Sequence, residues 1–184
     1  MSTYPQSAQD VYEFWFRELT KAQWFKTDPA VDQAIVERFS HLHRQAAQCE
    51  LFHWRTTPKG RLAEIIVLDQ FSRNIHRESA LAFSCDALAL ALAQEAVAQG
   101  ADQALDPAER SFLYMPYMHS ESPAIHTLAM TLFNQPGLED NLQFEIRHKE
   151  IIDRFGRYPH RNQWLNREST PEELEFLKQP GSSF

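Results

Sequence analysis

DRFGRYPHRN, residues 153–162, closes a periodic apolar segment, breaks at Gly156, and then places Arg157, His160, Arg161 and Asn162 in quick succession. A glycine directly after a helical pattern suits a left-handed C-terminal position, so the stretch reads as a helix end followed by a polar turn. A second copy of the pattern lies 84 residues earlier, in LDQFSRNIHR, residues 68–77. D-x-F-x-R-x-x-H-R is common to both and aligns Asp69 with Asp153, Phe71 with Phe155, Arg73 with Arg157, His76 with His160 and Arg77 with Arg161. The spacing exceeds one helical-repeat unit, and duplication and coincidence both account for it.

Outward from these two stretches, helix starts punctuate the chain. Asp28-Pro29, Thr57-Pro58, Asp106-Pro107, Ser122-Pro123 and Thr170-Pro171 each put a side-chain acceptor at the N-cap and Pro at the first helical position. Thr170-Pro171-Glu172-Glu173 is also a capping box, and Gly100 and Gly156 suit helix C-termini. The spacing predicts helices over 7–19, 28–49, 58–75, 84–99, 106–118, 122–134, 139–155 and 170–178, with a short turn near 160–165. Segment 84–99 alternates Leu and Ala, but its length, its Ala, Gln and Glu content and a Ser84 cap favour a buried helix over a strand. No strand pair remains. The expectation is an all-α array of about eight helices forming a single domain over residues 1–184.

Composition narrows the function. A net charge of -7 leaves no basic surplus for nucleic acid, yet residues 147–168 hold six Lys or Arg against three acidic residues. Such a segment suits a local anion site or internal ion pairs. Cys49 and Cys85 stand alone, as in a reducing cytosol. The N-terminal MSTYPQSAQD lacks the regions of a signal peptide, and no apolar run approaches the roughly 20 residues of a membrane span. The expected location is cytoplasmic, with no membrane and no nucleic acid as partner.

Asp69 shares a helix face with Leu62, Ile65 and Ile66, and Asp153 shares one with Leu142 and Ile146. A carboxylate on an apolar stripe needs a partner, so structural ion pairs Asp69–Arg73 and Asp153–Arg157 are expected, the second less certainly helical across Gly156. Guanidinium groups held in this way could grip a carboxylate or phosphate with paired donors. A third polar island, MHSES at 118–122, sets His119 and Glu121 before a helix start. His148 lies on a largely apolar face and reads as a hydrogen-bonded core residue. FWF (14–16), WF (24–25) and FLY (112–114) read as core packing. H-E-x-x-H, a Walker loop, G-x-S-x-G and a dinucleotide fingerprint are absent, so no cofactor and no metal is implied.

FWF, LAEIIVLDQFSRNIHR, FLYMPYMHSE, RHKEIIDRFGRYPHRN, NREST-PEE and the terminal PGSSF together resemble a bacterial family known as domain of unknown function number nine hundred and twenty-four. The resemblance implies a tetratricopeptide-like helical superhelix and no established reaction. Its motifs fall on Asp69, Gln70, Phe71, Arg73, Asn74, His119, Ser120, Glu121, His148, Gly156, Arg157, Pro159, His160, Arg161 and Asn162. This chain departs from the family with Ser72 for Pro, His76 for an aromatic, Ser122-Pro123 after HSE, and His126 for Gln.

The reading taken from the residues is a binding protein in which Arg73, Asn74, His119, Glu121, Arg157, His160, Arg161 and Asn162 line a cleft for an anionic small molecule or peptide carboxylate. A hydrolase or transferase with His119 or His160 as general base and Glu121 as orienting acid stands beside it. A helical scaffold for a protein partner is the third. All depend on whether the islands near 73, 119 and 161 meet.

Overall fold

A computed structural model describes residues 7–183; residues 1–6, part of the stretch read for a leader, and Phe184 of the terminal PGSSF lie outside it. α1 (Ala8–Glu13) runs into a π turn (Phe14–Glu18) and is followed by α2 (Lys21–Phe25) and α3 (Pro29–Ala47). α4 (Pro58–Ile66) continues through a second π turn (Val67–Phe71) into α5 (Ser72–Ile75). Then come α6 (Asp86–Ala98), α7 (Pro107–Met118), α8 (Pro123–Phe133), α9 (Glu139–Phe155) and α10 (Pro171–Phe176). No strand occurs among the described residues, so the all-α expectation holds.

The helix starts follow local chemistry. Asp28 accepts from the backbone N–H of Ala30 and Val31, Thr57 accepts from Gly60, and Asp106 and Thr170 form reciprocal boxes with Glu109 and Glu173. Each such cap is worth about 1 kcal/mol. Gly100 and Gly156 are left-handed, with φ of 70° and 69°. Two expected caps fail. Ser122 makes no side-chain cap bond and takes its place by a backbone bond to Ser120 Oγ instead. Ser84 donates to Leu81 O at 2.8 Å, so α6 starts later than expected, at Asp86 after Cys85. α2 escaped the sequence reading although Thr20 and Gln23 spell a capping box.

α4 is the central element. Leu62, Ala63, Ile65, Ile66, Val67 and Leu68 are all fully buried, as expected of a helix surrounded by others, here α1, α6 and α7. Phe14, Trp15, Phe39, Phe71 and Phe112 pack around it, with ring centroids 5.1 Å apart for Phe14–Phe39 and Phe39–Phe71 and 5.4 Å for Trp15–Phe112. The aromatic runs are therefore core, apart from Phe25, which is exposed. α6 turns Ala89, Ala93 and Ala96 inward, a stripe of small residues that lets it approach closely. Residues Ala80–Ala98 are also long and apolar enough to cross a membrane by length and composition, which the sequence reading passed over.

Gly60 is the tightest point of this packing. A Cβ there would lie 2.0 Å from the backbone oxygen of Trp54. Gly60→Ala is expected to destabilise the protein by about 2 kcal/mol or more, because backbone rather than a flexible side chain must move; urea unfolding against wild type measures it.

Candidate functional site

The second π turn carries Asp69 into the interior, fully buried, with Oδ1 2.7 Å from Nδ1 of His119 at the C-terminus of α7. π turns inside longer helices recur at functional sites because the widened turn re-aims a side chain. Arg73, one turn on, donates to the Asp69 carbonyl at 2.9 Å and lies 3.5 Å from its carboxylate. The same guanidinium forms a two-pronged pair with Asp86 at the start of α6, at 2.8 and 3.0 Å. Arg161, buried in the short turn Pro159–Arg161, places Nη1 3.5 Å from Asp86 and donates from Nη2 to the His119 carbonyl at 2.9 Å. Phe83 faces both guanidinium groups, at 5.6 Å from Arg73 and 4.7 Å from Arg161. The islands near 73, 119 and 161 thus converge, around a dense ion-pair network.

Charge and burial set the protonation states. Burial alone would raise the Asp69 carboxyl, but His119, Arg73 and the hydrogen bonds from His119 and Gln70 hold it down, to about 2. Burial and the Arg73 charge push His119 below its usual value, against the opposing pull of Asp69. At neutral pH the dyad is a carboxylate and a neutral imidazole, so Nδ1 carries the proton toward Asp69. Its Nε2 has no hydrogen-bond partner among the described residues, and the side chain is 14% exposed.

Three successive carbonyls, from the last residue of α7 into the loop after it, each take a hydrogen bond from a buried side chain. Tyr158 Oη donates to Met118 O at 2.5 Å, Arg161 to His119 O at 2.9 Å, and His126 Nε2 to Ser120 O at 2.7 Å. A carbonyl only accepts, so Nε2 of His126 bears hydrogen. Its Nδ1 lies 2.7 Å from Glu145 Oε1, and both side chains are wholly buried. Burial raises the Glu145 carboxyl, and Oε2 has no hydrogen-bond partner among the described residues. A protonated Glu145 donating to Nδ1 satisfies this geometry and fixes the tautomer that holds the His119 loop.

Other expected site residues have different duties. Glu121 does not orient His119: it pairs with Arg167 at 2.7 and 2.9 Å and accepts from Tyr158 N–H at 2.8 Å. Asn74 reaches away to Asp32 on α3 at 2.8 Å, beside the Arg77–Asp32 pair. Arg157 is taken up by Glu173 at 2.7 and 2.8 Å and by Glu168 O. Asn162 is buried and ties Arg167 to Ser169 and Glu173. The expected Asp153–Arg157 pair does not form. Asp153 is exposed and pairs with Lys149 at 2.5 Å, because the left-handed turn at Gly156 ends the helical register.

His160 lines a separate surface groove of about 400 Å³ with Gln163, Ser169, Leu174, Leu177 and Ser182. Burial pushes its ring down to about 4. The departures from the family pattern are also accommodated: Ser72 Oγ lies 2.7 Å from His43 Nε2, and His43 and His76 rings meet at 5.4 Å. Asp86, His126, Glu145 and Arg167 were not among the expected site residues. Only Asp86 had a local signal, as an acidic residue in a helix first turn. Among the described residues no group of three or more His, Cys, Asp or Glu side chains is placed to hold a metal ion.

Over residues 11–181 the chain matches a family model described as a bacterial protein of unknown function (DUF924). A solved structure of a protein of unknown function, ATU0120 from Agrobacterium tumefaciens, is similar to it at 40% identity, covering 93% of this chain and 96% of that one with a TM-score of 0.88. No curated protein matches the chain.

Two outcomes follow from the buried groups. His43 and His160 are pushed down to about 4 and His148 to about 3, chiefly by burial. The unfolded chain therefore takes up protons that the folded one refuses once pH drops below about 6.5. Stability should be level above pH 7 and fall by roughly 3 kcal/mol or more between pH 6.5 and 4, read as melting temperature against pH. Glu145→Ala should cost about 2–4 kcal/mol in urea unfolding. Glu145→Gln, whose amide can donate to His126, should recover most of it; an equal loss in both would show an imidazolium–carboxylate pair instead.

Proposed function

The chain belongs to the DUF924 family of bacterial proteins of unknown function, and we propose that it is a hydrolase in which His119 acts as general base. One observation carries this reading: a buried carboxylate 2.7 Å from Nδ1 of a neutral imidazole whose opposite nitrogen is uncommitted. An imidazole so placed removes a proton from water through Nε2, while Asp69 holds the ring orientation and stabilises the imidazolium that forms. The resulting hydroxide adds to the carbonyl carbon or phosphorus of an ester. Collapse of the adduct expels an alkoxide, which takes the proton back from His119. Arg161, buried and with Nε unpartnered among the described residues, supplies positive charge beside the His119 carbonyl for the developing oxyanion.

The orienting acid in this reading is Asp69, and Glu121 serves the loop instead. An anion receptor is supported less, because Arg73, Arg157 and Arg167 already hold carboxylates of the chain itself. A protein-binding scaffold would present a continuous apolar groove, whereas the exposed large hydrophobics Phe25, Val36, Phe52, Leu81, Leu128, Phe144 and Leu174 sit on different elements. The proposal includes a tetratricopeptide-like course for the helical array and a cytosolic setting, where the free thiols Cys49 and Cys85 stay reduced.

A screen of carboxylic and phosphoric esters is expected to yield turnover that His119→Ala abolishes and Asp69→Asn lowers by about 100-fold or more. The rate should rise as His119 loses its proton below pH 6.5 and level off at neutral pH. A folded wild-type protein with no turnover across the panel would end the reading.

A further inference from the structure

We infer that Asp86 is a built-in counter-ion that fills the Arg73–Arg161 fork and restricts the site to substrates whose reacting group is uncharged, such as carboxylic esters and amides. This rests on the hydrolase reading and narrows its substrate class. Asp86 presents Oδ1 to Arg73 Nη1 at 2.8 Å, Oδ2 to Arg73 Nη2 at 3.0 Å and Oδ2 to Arg161 Nη1 at 3.5 Å. That is the two-pronged placement an external carboxylate or phosphate would adopt against a guanidinium. An acidic side chain of the protein already stands where such a ligand would.

The charges around the dyad also close. Arg73 and Arg161 are matched by Asp69 and Asp86, and the neighbouring Glu121–Arg167 pair is complete within itself. Among the described residues no surplus cation faces His119. An anion entering this partly buried place would lose water and meet the Asp86 carboxylate already seated on both guanidinium groups, which is unfavourable. An uncharged ester carries its charge only in the transition state, when the unpartnered Nε of Arg161 can stabilise it while Asp86 stays in place. Phe83 reinforces the arrangement by covering both guanidinium groups with its ring.

A second observation agrees. None of the side chains lining the groove of about 400 Å³ carries a fixed charge; its polar groups are the His160 imidazole, the Gln163 amide and serine hydroxyls, against Leu174 and Leu177. His160 and Arg161 are successive residues of the turn Pro159–Arg161, so the groove wall and the ion-pair network share that turn. Such walls suit the neutral, hydroxyl- or amide-bearing body of a substrate with an apolar face.

The test uses inorganic phosphate as the probe, read by thermal shift and titration calorimetry on wild type, Asp86→Asn and Asp86→Ser, with far-UV circular dichroism to confirm folding. Serine is included because it is well tolerated near a helix start if the asparagine variant fails to fold. Wild type should show no phosphate-dependent shift, and a folded variant should bind phosphate at least about tenfold more tightly, since one opposing charge at contact distance has been removed. Phosphate binding by wild type equal to the variants would overturn the inference. So would a folded variant that still ignores phosphate, because Asp86 would then not be what keeps anions out. Turnover plays no part in this measurement, so an empty ester screen would remove the hydrolase reading and leave the counter-ion result standing.

Discussion

A carboxylate taken wholly out of water must be paired, and Asp69 is such a carboxylate at the meeting point of three helices. It is fully buried in the π turn that links α4 to α5, with His119 at 2.7 Å and Arg73 at 3.5 Å. Removing one partner of such a group costs about 3–5 kcal/mol, so its surroundings are held to a narrow geometry. Two constraints follow. The end of α7 must bring His119 to the middle of the long helix, and Arg73 must keep its reach to Asp86 on α6. Three helices are thereby registered against one another by a single side chain.

The apolar core makes that registration possible. From Leu62 onward α4 is buried on every face, and the rings of Phe14, Trp15, Phe39, Phe71 and Phe112 pack against it within one cluster. Such an element can carry a charged residue only where another element offers a partner: Arg55 meets the buried Glu64, and Asp69 needs one in the interior. The last residues of α7 provide it. A smaller apolar cluster of Ile151, Ile152 and Tyr158, with Phe155 and Phe176 against it, joins the end of α9 to α10. There polar ties add to the packing: Arg157–Glu173, Arg167–Glu121 and the buried Asn162 knit residues 157–173 to the loop after α7. Of the basic segment seen in the sequence, Arg157 and Arg167 go to these ties, Lys149 and Arg154 to surface pairs, and Arg161 to Asp86.

The internal echo illustrates how similar residues diverge in use. In the first copy, Asp69 is buried and Arg73 follows it on the same face, so both enter the network. In the second, the helix ends between Asp153 and Arg157, and the two point to different partners. Yet Arg161 of the second copy returns to Asp86, the residue that Arg73 of the first copy also holds. A pattern shared in sequence becomes a shared site only where the backbone between its members stays helical.

The chain by itself determined what depends on neighbours three or four residues apart. Helix positions at Asp28, Thr57, Asp106 and Thr170, the left-handed ends at Gly100 and Gly156, the Asp69–Arg73 pair and the all-α class were legible, because a cap or an i,i+4 contact is set within one turn of backbone. Tertiary structure decided which residues Asp69, Glu121 and Arg157 would choose, that Asn74 would leave the cluster, and that Asp86, His126 and Glu145 would enter it. Those partners lie from 13 to 75 residues apart, as in Arg73–Asp86 and Arg161–Asp86. No local pattern encodes such a pairing, since it arises only when packing helices exclude water and force each buried charge toward the nearest opposite one.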